Sequence, residues 1–172
     1  MIPTAILLAL AFVPMIFEAR VAARNTRALR SAGAAEPRGD VYRLMQVAYP
    51  LCFAAMVTEG WVRGARADAT TTGGLLVFVC AKGLKYWAIL TLGPRWTFRV
   101  LVPPHSVQVT AGPYRLMRHP NYLAVVVEGV ALPLVHTAWL TALLFTAANA
   151  LLLRIRVRCE DAALRELAKA SS

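Results

Sequence analysis

The chain alternates between long apolar runs and short polar segments. Apolar residues dominate the ranges 2–17, 44–62, 74–92 and 121–153, each of which carries at most two charged side chains. A helix needs about 20 residues to cross a hydrocarbon core about 30 Å thick. The last run would measure about 50 Å as one helix at about 1.5 Å per residue, so we expect it to break near 133–137. The pattern predicts an all-α integral membrane protein with about five transmembrane helices and a cytoplasmic C-terminal helix.

Composition favours one membrane domain. The chain has 172 residues, a hydrophobic fraction of 58% and a mean hydropathy of +0.54, which is more apolar than an ordinary soluble domain. We predict a single membrane domain over 1–172, with three N-terminal spans in 1–92 and a core in 93–172 that holds two short spans and the C-terminal helix. No positive charge precedes the first apolar run and several arginines follow it. This is the reverse of a secretory signal, so we expect that run to be a retained span.

The positive charge is distributed unevenly between the segments that join the predicted spans. The formal net charge is +10; with the N-terminus outside, fifteen basic residues fall in the inner segments and two in the outer loops. The positive-inside rule then predicts an outer N-terminus and a cytoplasmic C-terminus. The predominance of arginine favours a bacterial source, and therefore an inner membrane. Because the arginines are spread beside the spans, anionic lipid headgroups explain them better than nucleic acid does.

The segment 93–118 is the longest stretch without a predicted span, and it contains Gly-Pro and Pro-Pro breakers. A loop of this length in a small protein is usually functional. The three cysteines lie far apart and show no metal-ligand spacing. The sequence therefore predicts a functional loop beside the membrane and no metal site.

A polar motif stands where the last apolar run begins. The sequence Gly-Pro-Tyr at 112–114 is followed by Arg-His-Pro-Asn-Tyr at 118–122. Pro120 suits the first turn of a helix, because its missing N–H would be unpaired there. A helix start offers free N–H groups and partial positive charge, so a ligand carboxylate is one candidate occupant of the region around His119. The alternative is an interfacial anchor of Arg, His and Tyr at headgroup depth.

The C-terminal helix carries two neighbouring acids that we expect to face different surroundings. Glu160 falls on the apolar stripe of this helix, where a carboxylate needs a partner. Asp161 falls on the opposite, charged side between Arg158 and Arg165, which predicts charge pairs along the helix surface. The apolar stripe consists of Leu153, Val157, Leu164 and Leu167.

Four charged residues interrupt the apolar runs, namely Glu59, Lys82, Lys85 and Glu128. Charges inside spans are expensive and frequently functional. One interpretation is mutual pairing, with long side chains reaching toward the interfaces; the other is a role in a channel for the substrate. Glu128 lies about two helical turns beyond Tyr122 and is placed to reach either lysine.

Three elements in register resemble the isoprenylcysteine carboxyl methyltransferase family and, in the same way, the phospholipid N-methyltransferases. They are Gly-x-Tyr at 112–114, His-Pro-x-Tyr at 119–122, and an arginine followed one turn later by an acid pair at 156–161. The resemblance covers roughly 92–167. The second acid is Asp161 where glutamate is commoner, and Ser106 replaces a histidine often found in the preceding loop.

The resemblance implies an integral membrane enzyme that uses S-adenosylmethionine without a soluble Rossmann domain. The absence of a Gly-x-Gly-x-x-Gly motif agrees with this. The segment 93–172 would be the cofactor-binding core, and Arg156 would be the catalytic residue that faces the methyl acceptor. The residues implied to bind the cofactor are Ser106, Val107, Gln108, Val109, Tyr114, His119, Pro120, Asn121, Tyr122 and Glu160.

The reaction that the resemblance implies is methylation of a carboxylate or hydroxyl oxygen on a lipophilic or lipidated acceptor that enters from the bilayer. The expected partners are this acceptor and membrane lipids. Three alternatives stay open: a phospholipid N-methyltransferase, a membrane reductase of the sterol reductase type using NADPH, and a non-catalytic protein whose motif has decayed. Sterol reductases are generally longer and have more spans, and the intact His119, Tyr122 and Glu160 argue against decay.

Overall fold

The computed structural model describes residues 4–37, 39–64, 68–104 and 109–170. Within these ranges the chain forms helices and two short 3₁₀ turns, Gly93–Arg95 and Gly112–Arg115, and no strand. A single pair of residues, Ala35 and Val102, forms an isolated antiparallel bridge. The all-α prediction is confirmed for the described residues. The helices are α1 Thr4–Ser31, α2 Tyr42–Val62, α3 Ala69–Leu92, α4 Pro120–Val135 and α5 Trp139–Ala170.

Two of the described helical stretches are long and apolar enough to cross a bilayer. They are Ala69–Arg95, which contains α3, and Trp139–Glu166 within α5; α4 is a shorter apolar helix. The last predicted span and the predicted C-terminal helix form one continuous helix, α5. The count of five transmembrane helices, the division into 1–92 and 93–172, and the cytoplasmic position of the C-terminus stay predictions.

The break predicted near 133–137 is confirmed. Helix α4 ends at Val135, and α5 begins at Trp139. Between them Thr137 adopts a φ of 53°, which is unusual for a residue with a branched side chain. The N–H of Ala138 donates to the carbonyl of Pro133 at 2.9 Å and closes the turn. This tight connection makes α4 and α5 a hairpin, so the beginning of α4 and the second half of α5 lie side by side.

The beginning of α5 is capped by an acid from another helix. Glu59 of α2 accepts hydrogen bonds from the backbone N–H groups of Leu140 and Thr141 at 2.9 and 2.7 Å, and from the Thr141 hydroxyl at 2.7 Å. Arg63 pairs with the same carboxylate at 2.9 Å. Free N–H groups in the first turn of a helix are costly where water is scarce. Glu59 therefore has a structural role that neither interpretation of the sequence had included.

Helices α3 and α4 pack closely because a glycine removes the side chain at their contact. A Cβ on Gly74 would lie 3.0 Å from the backbone nitrogen of Val135 and 3.2 Å from the carbonyl oxygen of Ala131. The apolar core around this contact is formed by Ala11, Met56, Phe78, Ala131, Leu132, Val135 and Ala138. The close approach fixes the position of α4, whose first turn carries the polar motif.

The loop between α1 and α2 packs on the segment that follows α3. Ala35 and Val102 exchange two backbone hydrogen bonds of 3.0 Å. Glu36 pairs with Arg30 and with Arg99, both at 2.6 Å. Nearby, the side chain of Asn25 on α1 donates to the carbonyl of Trp96 at 2.8 Å. The long loop predicted to be functional is therefore held in place from the N-terminal half of the chain.

Candidate active site

The centre of the site is a phenol that joins a carboxylate to a guanidinium. The Tyr122 hydroxyl, on the first turn of α4, donates to Glu160 Oε2 at 2.6 Å. Arg156 Nε, on α5, donates to the same hydroxyl at 3.2 Å. Arg156 and Glu160 are four residues apart, so they share one face of α5. We expected Glu160 to have a polar partner, and this partner is Tyr122. The two residues meet because the face of α5 that carries Glu160 packs against the start of α4.

Arg156 ties four segments of the chain together, although only 5% of its surface is exposed. Besides Tyr122, its guanidinium donates to the carbonyl of Phe98 and to the sulfur of Met45, the latter at 3.5 Å. Its Nη1 lies 3.7 Å from Oδ1 of Asp40, which lies two residues before the first residue of α2. A buried guanidinium is tolerable when its donors are satisfied in this way. Arg156 thus joins segments from both halves of the chain.

His119 stands at the N-cap of α4 and lies against Asp161. Its ring stacks on that of Tyr122 with a centroid distance of 5.4 Å and an interplanar angle of 23°. Its Nε2 lies 3.4 Å from Asp161 Oδ1, and Arg118 reaches the same oxygen at 3.5 Å. The prediction that Asp161 serves surface pairs along its own helix is wrong. Asp161 faces the start of α4, because the hairpin brings the polar motif against this turn of α5.

Three buried polar atoms of the site have no hydrogen-bond partner among the described residues. They are Asp40 Oδ1, His119 Nε2 and Asp161 Oδ1. Leaving a buried polar atom unpaired costs about 1–3 kcal/mol, and most such atoms in folded proteins are paired. His119 Nε2 and Asp161 Oδ1 face each other at 3.4 Å, so the unused hydrogen-bonding capacity of the site lies chiefly at Asp40 Oδ1.

The Gly-Pro-Tyr motif forms a 3₁₀ turn beside the same cluster. Gly112 has a φ of 53°, and a Cβ there would lie 2.4 Å from Thr91 Oγ1, so this position requires glycine. The turn places Tyr114 near Glu160. Burial and the negative charge of Glu160 together raise the pKa of the Tyr114 phenol above its ordinary value. Tyr114 is therefore a neutral hydroxyl at this site.

The remaining candidate residues fall into two groups. Pro120 is buried at the first position of α4, and Asn121 Oδ1 accepts a hydrogen bond from the indole of Trp96 at 3.3 Å. Val109 is half-buried in the segment that leads to Gly112. Ser106, Val107 and Gln108 lie outside the described residues, as does the side chain of Leu167 on the apolar stripe. The structure thus brings together His119, Tyr122, Arg156 and Glu160, with Tyr114 beside them.

Sequence reasoning missed Asp40, Met45 and the Phe98 carbonyl. Asp40 is almost fully buried, with a side-chain exposure of 4%, and its Oδ2 accepts from the N–H of Val100 at 3.3 Å. In the sequence it is one of several polar residues in a Pro- and Gly-containing loop. The signal available was an acid placed two residues before an apolar helix, and this does not reveal a partner more than 100 residues away.

A second polar cluster lies nearer the middle of the bundle. Glu18 of α1 pairs with Lys82 at 2.9 Å and with Lys85 at 2.6 Å, and Glu128 of α4 pairs with the same lysines at 3.3 and 3.2 Å. We call these four residues the quartet. The prediction that Glu128 reaches the lysines is confirmed, whereas Glu18 was not predicted. The quartet borders a cavity of about 80 Å³, which is otherwise lined largely by apolar residues.

Comparison with known proteins agrees with the residues assembled here. The family model of the isoprenylcysteine carboxyl methyltransferase family matches residues 74–166, a range that includes the Gly-Pro-Tyr turn, His119, Tyr122, Arg156 and Glu160. An uncharacterized protein, YpbQ, of Bacillus subtilis is 33% identical over 161 residues, covering 94% of this chain and 96% of that protein. An uncharacterized protein of Haemophilus influenzae is 25% identical over 148 residues, covering 86% of each chain.

The family match covers more than half of the chain and contains both helices of the hairpin that carries the cluster. The relative from Bacillus subtilis extends the similarity over nearly the whole length. The chain belongs to the isoprenylcysteine carboxyl methyltransferase family, a family of membrane-associated methyltransferases.

Proposed function

We propose that this protein transfers a methyl group from S-adenosylmethionine to a carboxylate or hydroxyl oxygen of a lipophilic acceptor at the membrane interface. We place the site on the cytoplasmic face of a bacterial inner membrane, with the N-terminus outside. The observation that carries the proposal is the buried cluster of Tyr122, Glu160 and Arg156 on the α4–α5 hairpin. The family membership of the chain supports methyl transfer as the reaction class.

The residues of the site fit the chemistry of this cofactor. Its ammonium, amino and ribose hydroxyl groups are hydrogen-bond donors, and the site offers the carboxylate of Glu160, of which Oε2 accepts from Tyr122. We expect Glu160 to hold one of its polar ends, with Tyr114, His119 and Tyr122 as neighbours. Pro120, Asn121 and the segment 106–109 would line the same pocket. When bound, the cofactor supplies a sulfonium-borne methyl group that is open to in-line displacement.

Alignment and exclusion of water are the main contributions that the protein makes to such a displacement. The tight hairpin and the burial of Arg156 serve both. We propose that Arg156 faces the acceptor. A carboxylate acceptor needs no base, whereas the proximity of a guanidinium favours the anion of a phenol or enol acceptor. Its bonds to Tyr122 and Phe98 keep this charge in one position.

Calorimetry on the purified protein in detergent tests the proposed function. S-adenosylhomocysteine and NADPH are titrated separately into the full chain. We expect specific binding of S-adenosylhomocysteine and none of NADPH. Binding of NADPH alone would instead support a reductase, and binding of neither would favour a protein that has lost its activity.

The two neighbouring acids of α5 offer a matched pair of variants. We expect Glu160→Ala to weaken binding of S-adenosylhomocysteine by about tenfold or more, the usual consequence of losing a charged hydrogen-bond acceptor. Asp161→Ala should weaken it much less, because that carboxylate already faces Arg118 and His119. The measurement is the dissociation constant by calorimetry. Equal losses for the two variants would contradict the role proposed for Glu160.

A further inference from the structure

Asp40 is a buried carboxylate that the fold leaves half satisfied. Its side chain is 4% exposed, and Oδ2 accepts one hydrogen bond, from the N–H of Val100 at 3.3 Å. Oδ1 is fully buried and has no hydrogen-bond partner in the described part of the chain. Arg156 Nη1 lies 3.7 Å from Oδ1, which is within ion-pair range but longer than a hydrogen bond. Oδ1 is therefore free to accept a donor from a ligand.

The charges around Asp40 indicate what kind of hydrogen-bond donor its Oδ1 would accept. Asp40 and Glu160 are two carboxylates near one buried guanidinium, Arg156, and all three groups are close enough to the Cys159 side chain to act on it electrostatically. Asp161 is offset separately by Arg118. The inner part of the site thus holds one more negative than positive charge. A buried charge is tolerated when it is paired, so a cationic donor satisfies both Oδ1 and the excess charge.

We infer that Asp40 accepts a hydrogen bond from the α-ammonium group of S-adenosylmethionine and so completes the cofactor site from the α1–α2 loop. This inference rests on the proposed function. It assigns a binding role to a residue outside the range 74–166 that the family model matches. The loop is suited to this role, because Ala35 and Glu36 fix it to Val102 and Arg99.

The test compares two ligands that differ at the end of the molecule that Asp40 is inferred to hold. S-adenosylhomocysteine carries the ammonium group, whereas 5′-methylthioadenosine has the same nucleoside and sulfur without the amino-acid portion. Binding of both to the full-length protein and to Asp40→Asn is measured by calorimetry in detergent. We expect the substitution to weaken binding of S-adenosylhomocysteine by about tenfold or more and to leave 5′-methylthioadenosine unchanged. Equal losses for both ligands, or no loss for either, would overturn the inference.

Glu36→Gln is the matched control, because Glu36 lies in the same loop and pairs with arginines outside the cluster. It should bind S-adenosylhomocysteine like the wild type; a loss as large as that of Asp40→Asn would assign the effect to loop structure and overturn the inference. Should Asp40→Asn fail to fold, Asp40→Glu, which keeps the charge, is compared with the wild type for its preference for S-adenosylhomocysteine over the deamino analogue of the same ligand. A wild-type protein that binds the two ligands equally would refute the role of Asp40, and a preference that Asp40→Glu leaves unchanged would also count against it. Failure of the wild type to bind S-adenosylhomocysteine would instead refute the proposed function.

Discussion

The bundle contains two buried polar clusters that differ in how their charged groups are paired. In the quartet, each of the four carboxylate oxygens of Glu18 and Glu128 has an ammonium nitrogen of Lys82 or Lys85 within 3.3 Å. Two negative charges face two positive charges. In the cluster around Tyr122, carboxylates outnumber buried cations. By the stricter hydrogen-bond criterion, three of its buried polar atoms lack a partner among the described residues, against one atom of the quartet, Glu128 Oε1. The charges of the first cluster are balanced, whereas those of the second are not.

We interpret the balanced quartet as a structural feature of the bundle and the unbalanced cluster around Tyr122 as a ligand-binding site. A buried ion pair contributes little net stability, because desolvation offsets most of the attraction, but removing one member leaves an uncompensated charge. The quartet joins α1, α3 and α4 near the middle of each helix, so it fixes how these helices fit together. The cluster around Tyr122 leaves hydrogen-bonding capacity unused. Such a site is expected to gain stability when a ligand binds.

Breaking the quartet should have the largest effect on stability. We expect Lys85→Met to lower the free energy of unfolding by about 3–5 kcal/mol, because it leaves a buried carboxylate without its counter-charge. Chemical unfolding in detergent measures this. Folded Lys85→Met protein should still be stabilised by S-adenosylhomocysteine, since the cofactor site is about two helical turns away.

The control for this variant removes all four charges at once, as Glu18→Leu, Lys82→Met, Lys85→Met and Glu128→Leu. We expect it to unfold near the wild-type free energy, since an apolar replacement of a whole buried ion cluster is often neutral or stabilising. If the single variant were as stable as the wild type, the quartet would not hold the helices together.

Disrupting the cluster around Tyr122 should lower the free energy of unfolding less than disrupting the quartet does. It should weaken ligand binding more. We expect Tyr122→Phe to destabilise the protein by about 1–3 kcal/mol, because Glu160 loses a hydrogen-bond donor and Arg156 loses a hydrogen-bond acceptor. Binding of S-adenosylhomocysteine should weaken as well. Thermal unfolding with and without this ligand measures both effects.

Tyr49→Phe is the matched control, because the Tyr49 hydroxyl donates to Asn149 Oδ1 at 3.0 Å inside the same bundle. This variant should lose stability of a similar order and keep the stabilisation by S-adenosylhomocysteine. If Tyr122→Phe also kept that stabilisation in full, the cluster around Tyr122 would not be the cofactor site.

The two clusters also differ in how far the sequence revealed them. His119, Tyr122 and Glu160 stand in a recognisable spacing, and the apolar stripe of α5 required a partner for Glu160. The length of the last apolar run therefore predicted the hairpin, and periodicity predicted the need for a contact. The partner itself follows from how α4 packs against α5, which no local pattern encodes. Asp161 was assigned the wrong partners for the same reason: a helix pattern shows which face a residue occupies but not which neighbour covers it.

Three acids whose partners sequence reasoning did not identify contact residues from distant parts of the chain. Glu18 lies one residue beyond an apolar run and reads as the beginning of a polar segment, although its side chain is 2% exposed. Asp40 reads as a loop residue. Glu59 reads as a charge in a span, whereas it caps α5. In each case the burial of the carboxylate depends on tertiary packing, and the residue type indicates only that some partner is required.

A third charged group lies on the surface, and it separates the effect of burial from the effect of the number of charges. Glu36 pairs with Arg30 and Arg99 at 2.6 Å, but its side chain is 30% exposed. Burial by itself would raise the pKa of Glu36, but hydrogen bonds from Arg99 and Arg30, together with their charges, outweigh it and hold the pKa below its usual range. Water screens such pairs, so we expect them to contribute less than about 1 kcal/mol.

The lowered pKa of Glu36 fixes the direction of the pH dependence. A folded-state pKa below the unfolded value means that the contribution to stability is complete above the unfolded pKa of about 4.3 and is lost as the pH falls through the lower, folded value. Wild type should therefore unfold at a slightly higher temperature than Glu36→Gln near pH 7. The difference should begin to shrink as the pH falls through about 4.3 and should vanish below the folded-state pKa. Thermal unfolding of both proteins across this range measures it. A difference that grew on acidification would contradict this assignment, because it would require the folded state to favour protonated Glu36.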